Sequence, residues 1–331
     1  MTAKHRKIGR TSLTTGRLSL GAVTFGREID EETSRQILDY AAERDIRLID
    51  AAEAYGGGNS QAGRKAGYGV EDQREVTTEM YSCEKIIGRW IRDRGNRNDV
   101  LICTKVSSGN SPENIRVQVQ ASLERLMVDR LDIYMLHDAD PDVPIEEALD
   151  ALREQVEAGN VQVIGCSNLT APQLQEALAV SGSRGWPRFE IHSPPYNLGD
   201  RRAEPELLPL CVREEISTLT YSPLAAGFLS GKYERTEERH SFPKGTRFDI
   251  SPAHADIYFN DRNFRVLEKL RAKAVEMDES MVYLAMSWVL GHPDVTSVLV
   301  GARHAGHIDN AIRARDEGIS QALRDEISAW D

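Results

Sequence analysis

Eight short apolar runs, nearly every one followed by an amphipathic stretch, constrain this chain more than any other feature of it. The runs fall at 18–23, 46–50, 99–104, 131–136, 161–166, 188–193, 217–221 and 295–300. Most are rich in Ile, Leu and Val and bounded by polar turns, the pattern of a parallel strand buried on both faces. Between and after them lie helix-spaced stretches at 31–44, 83–94, 112–127, 145–158, 171–180, 203–215, 262–277 and 304–314. In 112–127, Ile115, Val119, Leu123 and Leu126 recur at helical spacing, and Ser111 with Pro112 supplies an N-cap and first turn. Alternation of this kind predicts an α/β fold, a (β/α)8 TIM barrel. The rival doubly wound fold wants G-x-G-x-x-G after its first strand, and LSLGAVTFG at 18–26 does not provide it. No linker-like break divides the chain, so residues 1–331 read as one domain. Residues 5–17 read as an N-terminal β-hairpin plugging the barrel floor, and a helix pair at 280–290 and 319–330 stands outside the alternation. Two long loops, 56–81 and 226–260, are expected on the C-terminal face, where barrel active sites lie.

The formal net charge of −11 argues against a general nucleic-acid binder. No apolar run reaches the length of a membrane span, and the start MTAKHRKIGRTS has positive charge but no apolar stretch behind it. Cys83, Cys103, Cys166 and Cys211 show no C-x-x-C spacing, which fits a reduced, cytoplasmic protein.

Three of the runs deliver ionisable residues where such folds do chemistry. IRLID ends at Asp50 with Tyr55 five residues on, VLICTK ends at Lys105, and DIYMLH ends at His137. A tyrosine of ordinary pKa near 10 is a poor acid–base group at neutral pH. A neighbouring ammonium favours its phenolate, and a carboxylate holds the ammonium. Tyr55 as proton donor, Lys105 as tuner and Asp50 as the partner of Lys105 therefore make a coherent unit. His137 would donate a hydrogen bond to a carbonyl oxygen or relay the proton.

The combination resembles the aldo-keto reductase family, from about residue 6 to residue 315. KIGRTSLTTGRLSLGAVTFG is similar to that family's opening hairpin and first strand, LIDAAEAYG to its aspartate–tyrosine block, ICTK to its lysine strand and YMLHDAD to its histidine strand. IGCSN, YSPLAAGFLSGKY and VLVGARHAGHIDNAI resemble its cofactor blocks. The resemblance implies a barrel binding NADPH/NADP+ (NADH being the other nicotinamide form) and hydride transfer to or from an aldehyde, ketone or sugar-like carbonyl, with Tyr55 as general acid/base. It implies cofactor contacts from Ser167, Asn168, Ser193, Tyr221, Ser222, Leu224, Gly301, Arg303, His307 and Asn310. Substrate contacts are expected from Phe25, Asp138, Tyr68 and Tyr81. The expected partner is a small carbonyl or alcohol substrate, with no nucleic acid, no membrane and no metal, and with a homo-oligomer allowed.

Several positions depart from the family pattern. Ser193 stands where a carboxamide-binding glutamine is expected, which shortens or removes that contact. His307, Asn310 and Ala311 replace the usual residues of the last block, leaving Arg303 to clamp a 2′-phosphate. About twenty residues are added at 56–81, and a lid or subunit-contact loop shaping the substrate pocket is expected there. GFLSGK at 227–232 is one residue short of a Walker A loop, and the His304–His307 spacing lacks the further ligands of a zinc site. Two other readings are a non-catalytic, cofactor-binding regulatory or redox-sensing subunit on the same fold and a barrel hydrolase using Asp138 and Asp140.

Overall fold

A computed structural model describes residues 5–235 and 242–330 of the chain. Its strands are β1 (Arg6–Lys7), β2 (Thr14–Thr15), β3 (Leu18–Gly21), β4 (Leu48–Asp50), β5 (Leu101–Val106), β6 (Leu131–Leu136), β7 (Val161–Ser167), β8 (Ile191–Ser193), β9 (Ser217–Thr220) and β10 (Ser297–Gly301). β3 to β10 form a closed, all-parallel barrel in the order β10-β3-β4-β5-β6-β7-β8-β9. This is the (β/α)8 barrel that the alternation predicts. β1 and β2 pair as the expected antiparallel hairpin.

The hairpin closes the floor of the barrel. Ile8 at its turn is fully buried among Leu48, Cys103, Ile133, Met135, Val163, Ile191, Leu219 and Leu299, the inward-facing side chains of the strands. Ser217, at the N-terminal end of β9, donates its hydroxyl to Lys7 O and accepts from Gly9 N–H, both at 3.0 Å. A larger shell of apolar residues packs the strands' outward faces against the helices. The helices start where short polar side chains cap them: Asp30, Ser111, Thr170 (with Gln173 in a reciprocal capping box) and Ser280 each accept from a first-turn N–H.

The pleat then dictates the site. Side chains alternate inward and outward along a strand, so one step of two residues beyond the apolar plug brings the next inward side chain. From Leu48 that step reaches Asp50, from Cys103 it reaches Lys105, and from Met135 it reaches His137. From Ile191, Leu219 and Leu299 it reaches Ser193, Tyr221 and Gly301. A ring of functional groups thus sits directly above the plug.

The segments expected as loops are more ordered than the sequence suggests. Within 56–81, residues Gly57–Tyr68 form a helix. The 226–260 segment holds a 3-10 stretch completing Ala225–Ser230 and helices Arg247–Ile250 and Ala253–Tyr258, while its residues 236–241 lie outside the described residues. The two segments are stitched together. Arg64, with a side chain 2% exposed, grips both oxygens of Glu75 (0% exposed) at 2.5 and 2.8 Å and donates to Ile250 O at 3.0 Å. Arg74 donates to the backbone and side chain of Asp249. Other boundaries move slightly. The 203–215 helix is confined to Leu207–Arg213, and the 99–104 strand lies at Leu101–Val106.

Candidate active site

At the C-terminal mouth lies one large cavity, about 740 Å³. Asp50, Tyr55, Lys105 and His137 line it together. Lys105 is almost fully buried, and its ammonium donates to Asp50 Oδ1 and to Ala51 O, both at 2.7 Å. Burial alone would lower the Lys105 pKa, but Asp50, then Tyr55 and Cys103, outweigh it and the net shift is upward. Lys105 is therefore a fixed cation. Its Nζ lies 5.1 Å from the Tyr55 ring centroid, and the His137 ring meets the Tyr55 ring edge-on at 5.6 Å.

The balance of forces on Tyr55 differs from the expectation of a lowered pKa. Burial pushes the phenol up to about 12, and the pull of Lys105 only offsets part of that. The resting group is a neutral phenol, ready to give a proton. His137 is pushed the other way, down to about 3, by burial and then by Lys105, so it is a neutral ring with one N–H to offer. Its Nδ1 lies 2.6 Å from Ser107 Oγ, and its backbone O accepts from Asn168 Nδ2 at 3.0 Å.

Two histidines, His192 fully buried and His137 partly so, make stability pH-dependent. His137, and His192 held to about 4 chiefly by burial, both lie below the ordinary 6.5. The unfolded chain takes up protons that the folded protein refuses, so this stability is complete above about pH 6.5 and is lost as the pH falls toward the folded values. The slope is roughly 1.4 kcal/mol per pH unit for each group. Urea unfolding followed from about pH 6.5 to 4.5 checks this, and a level midpoint across that range contradicts it.

Every residue expected to meet the cofactor lines the same cavity: Ser167, Asn168, Ser193, Tyr221, Ser222, Leu224, Gly301, Arg303, His307 and Asn310. Their bonds are informative. Tyr221 donates its hydroxyl to Asn168 Oδ1 at 2.8 Å, while Asn168 Nδ2 also reaches Asp138 Oδ1 at 2.9 Å. Asn168 stands at positive φ (62°), as do Ser222, Ala225 and Ala226, so the backbone is specially shaped on both sides of the mouth. Ser193 spends its hydroxyl on Leu219 O at 2.7 Å. Arg303 donates to Gly245 O at 2.9 Å, and His307 Nδ1 accepts from the Arg303 backbone N–H. Lys232, Arg303, His304 and His307 gather basic groups among the lining residues. Cationic side chains such as Lys232 and Arg303 in the lining are the chemistry that holds a phosphate.

The residues named for substrate are placed differently. Phe25 is fully buried in the outer core, and Tyr68 is exposed at the end of its helix. Tyr81 precedes the Ser82–Arg94 helix in a left-handed conformation with Arg125 over its ring at 4.5 Å. None of these three lines the cavity, and neither does Asp138, which holds Asn168 from the side. No residue of 56–81 lines it either. The 56–81 segment is tied to the cavity's neighbours: Val76 N–H donates to Arg27 O, and bonds to Asp249 and Ile250 join it to the segment that carries Arg247 and His254.

Sequence reasoning missed a charged cluster in the lining. Arg27 and Glu28 pair through two bonds of 2.8 and 2.7 Å, both almost fully buried. Arg247 Nη1 lies 3.5 Å from Glu28 Oε1, and its Nη2 lies 3.4 Å from His254 Nε2. Only the charged residue types of Arg27-Glu28 were visible in advance; their meeting with Arg247 is tertiary.

A family model described as "Aldo/keto reductase family" matches residues 17–331. The aldo-keto reductase YhdN of Bacillus subtilis is 30% identical over 92% of this chain and 87% of its own length. A probable voltage-gated potassium channel subunit beta of Arabidopsis thaliana is 29% identical over 95% of this chain and 91% of its own. An NADH-specific methylglyoxal reductase of Escherichia coli is 30% identical over 96% and 95%.

Proposed function

The chain belongs to the aldo/keto reductase family, and from that premise we propose that it is an NADPH-dependent reductase of an aldehyde, ketone or sugar-like carbonyl, with Tyr55 as the general acid. An NAD(P)H-dependent oxidoreductase is the activity that family membership carries. The observation that supports the finer reading is the joint placement of Asp50, Tyr55, Lys105 and His137 in one cavity that also carries Lys232, Arg303, His304 and His307.

Bound there, a reduced nicotinamide supplies the hydride. This chain's own groups do the rest. Tyr55 holds a proton across the neutral range and delivers it to the carbonyl oxygen as negative charge develops there. Lys105, pinned by Asp50, stabilises the phenolate left behind. His137 steadies the same oxygen as a neutral hydrogen-bond donor, and its low pKa argues against proton relay. Asn168, its N–H groups taken by His137 O and Asp138 and one Oδ1 lone pair by Tyr221, would accept from the carboxamide N–H on the remaining Oδ1 lone pair.

A carbonyl panel followed by NADPH and NADH absorbance tests this reading. Turnover is expected with either cofactor, and cofactor fluorescence should show NADPH binding at least about tenfold tighter, the scale of one charge-assisted phosphate contact. Arg303→Ala should remove most of that difference. Equal affinity for both cofactors in the parent protein would set NADPH preference aside. The second reading, a non-catalytic cofactor-binding subunit, draws on the similarity to the protein named as a potassium channel beta subunit; it predicts cofactor binding without turnover of any carbonyl. Four free, buried cysteines fit the proposed reducing, cytoplasmic setting. Among the described residues no helix is long and apolar enough to cross a membrane.

A further inference from the structure

His137 is in contact with a residue that has no part in the chemistry itself. Ser107 directly follows β5, and its Oγ lies 2.6 Å from His137 Nδ1, a short contact for a hydroxyl and a ring nitrogen. Its backbone is not free to drift. Ser107 N–H donates to Glu53 Oε2 at 2.8 Å, and Glu53, itself buried, donates its own N–H to Lys105 O at 3.0 Å. Glu53 lies two residues before Tyr55. One carboxylate therefore ties the segment carrying the proton donor to the residue that touches the histidine. His137 is held equally firmly, through its N–H to Val106 O at 3.1 Å and its carbonyl to Asn168 Nδ2 at 3.0 Å.

A neutral imidazole has one N–H, and the bond made by one nitrogen decides what the other presents. With Nδ1 engaged by Ser107, Nε2 is the nitrogen left for the cavity that His137 lines. Two arrangements satisfy the 2.6 Å contact. In one, Nδ1–H donates to Ser107 and Nε2 turns a lone pair toward the cavity. That lone pair repels a carbonyl oxygen and competes with it for the Tyr55 proton, whose ring is 5.6 Å away. In the other, Ser107 donates to Nδ1 and Nε2 carries a hydrogen that complements the oxygen's growing charge.

We propose that Ser107 is a positioning residue whose hydroxyl donates to His137 Nδ1 and so keeps the ring's proton on Nε2, facing the carbonyl oxygen of the substrate. This rests on the reductase reading for the identity of the oxygen, though not for the state of the ring. The pairing is a specificity device as well. An Nε2–H favours ligands that bring an acceptor to that point, and an ammonium or other group without a lone pair meets a matching donor there and is rejected.

The test uses the full-length protein labelled with 15N at its 8 histidines, with the His137 signals identified by their loss in His137→Gln. The expected result is a pyrrole-type shift at Nε2 and a pyridine-type shift at Nδ1 in the parent protein, retained in Ser107→Thr and averaged between the two nitrogens in Ser107→Ala. Alongside, Ser107→Ala should lower kcat for carbonyl reduction roughly tenfold, the worth of one hydrogen bond, with cofactor Kd unchanged and Ser107→Thr restoring most of the rate. A protonated Nδ1 in the parent protein overturns the proposal. So does an alanine variant that keeps both the tautomer and the rate. A parent protein with the expected tautomer but no turnover of any carbonyl supports the hold of Ser107 on the ring while overturning the reductase reading.

Discussion

Replacing Tyr55 by Phe is expected to lower kcat for carbonyl reduction by about 10²–10⁴-fold, the range for loss of a positioned general acid. The substitution removes only the hydroxyl. The ring's edge-on contact with His137 at 5.6 Å and its place 5.1 Å from the Lys105 ammonium do not need it, so fold and cofactor affinity should be preserved. Equal turnover by the variant would remove Tyr55 from its role. The pH dependence carries the same assignment. A phenol raised to about 12 is protonated throughout the neutral range, so kcat/KM for reduction, which reports the free enzyme, should be level from about pH 6 to 9. Alcohol oxidation needs the phenolate instead and should climb with pH over that interval. A reduction profile that falls between pH 7 and 9 in the parent protein and is flat in Tyr55→Phe would mean that the phenol titrates near neutrality after all.

The second large effect concerns the insertion. Arg64→Ala leaves Glu75 as an uncompensated buried carboxylate, a change of about 3–5 kcal/mol in comparable pairs. Arg64 also donates to Asp72 O at 2.8 Å and Ile250 O at 3.0 Å, so the loss falls on the insertion and the 247–258 segment together. We expect limited proteolysis to open both segments while the barrel stays folded, and KM values to rise through Arg27, Arg247 and His254 rather than through direct contacts. The double change Arg64→Met with Glu75→Leu removes both charges and should recover much of the stability, because the unpaired charge is the costly species. Unaltered protease resistance and KM in Arg64→Ala would show the brace to be irrelevant. The same experiment separates this indirect role from the direct, substrate-touching lid that the length of 56–81 suggests.

The barrel was legible because its strands are continuous apolar runs and its helices carry a helical apolar repeat; Asp50, Lys105 and His137 stood out because each ends or follows such a run. The helix Gly57–Tyr68 escaped notice for a physical reason. Its sequence, GGNSQAGRKAGY, buries Gly57, Gly58 and Arg64 rather than a stripe of large apolar residues, so hydrophobic periodicity has nothing to register. The two leading glycines are there for space: a Cβ on Gly57 or Gly58 would collide with the carbonyls of Thr77 and Thr78. Ser107 was invisible because its partner comes from the next strand, through the register that sets Val106 against Leu136. Arg27 and Glu28 carry no signal in sequence, because the Arg247 they meet comes from more than two hundred residues away. The resting pKa of Tyr55 is not legible in sequence, because the ammonium shows there and the burial that outweighs it does not.

Barrel closure has a consequence for how the chain is made. β3 completes the cylinder by pairing with β10, and Ser19 bonds Ser297 at 2.7 Å across 278 residues of sequence. During synthesis β3 therefore emerges among the first strands and waits for a partner that is among the last. Until then β3 and β9 are open sheet edges, the surfaces most prone to pairing with another chain. Closing so long a loop also makes the final step slow. Asp50, Tyr55, Lys105 and His137 are all synthesised well before that step, whereas Arg303, His307 and Asn310 come only with it. The acid–base residues thus come from the first half of the chain, and the segment that seals the barrel also supplies the Arg303 end of the ligand cavity.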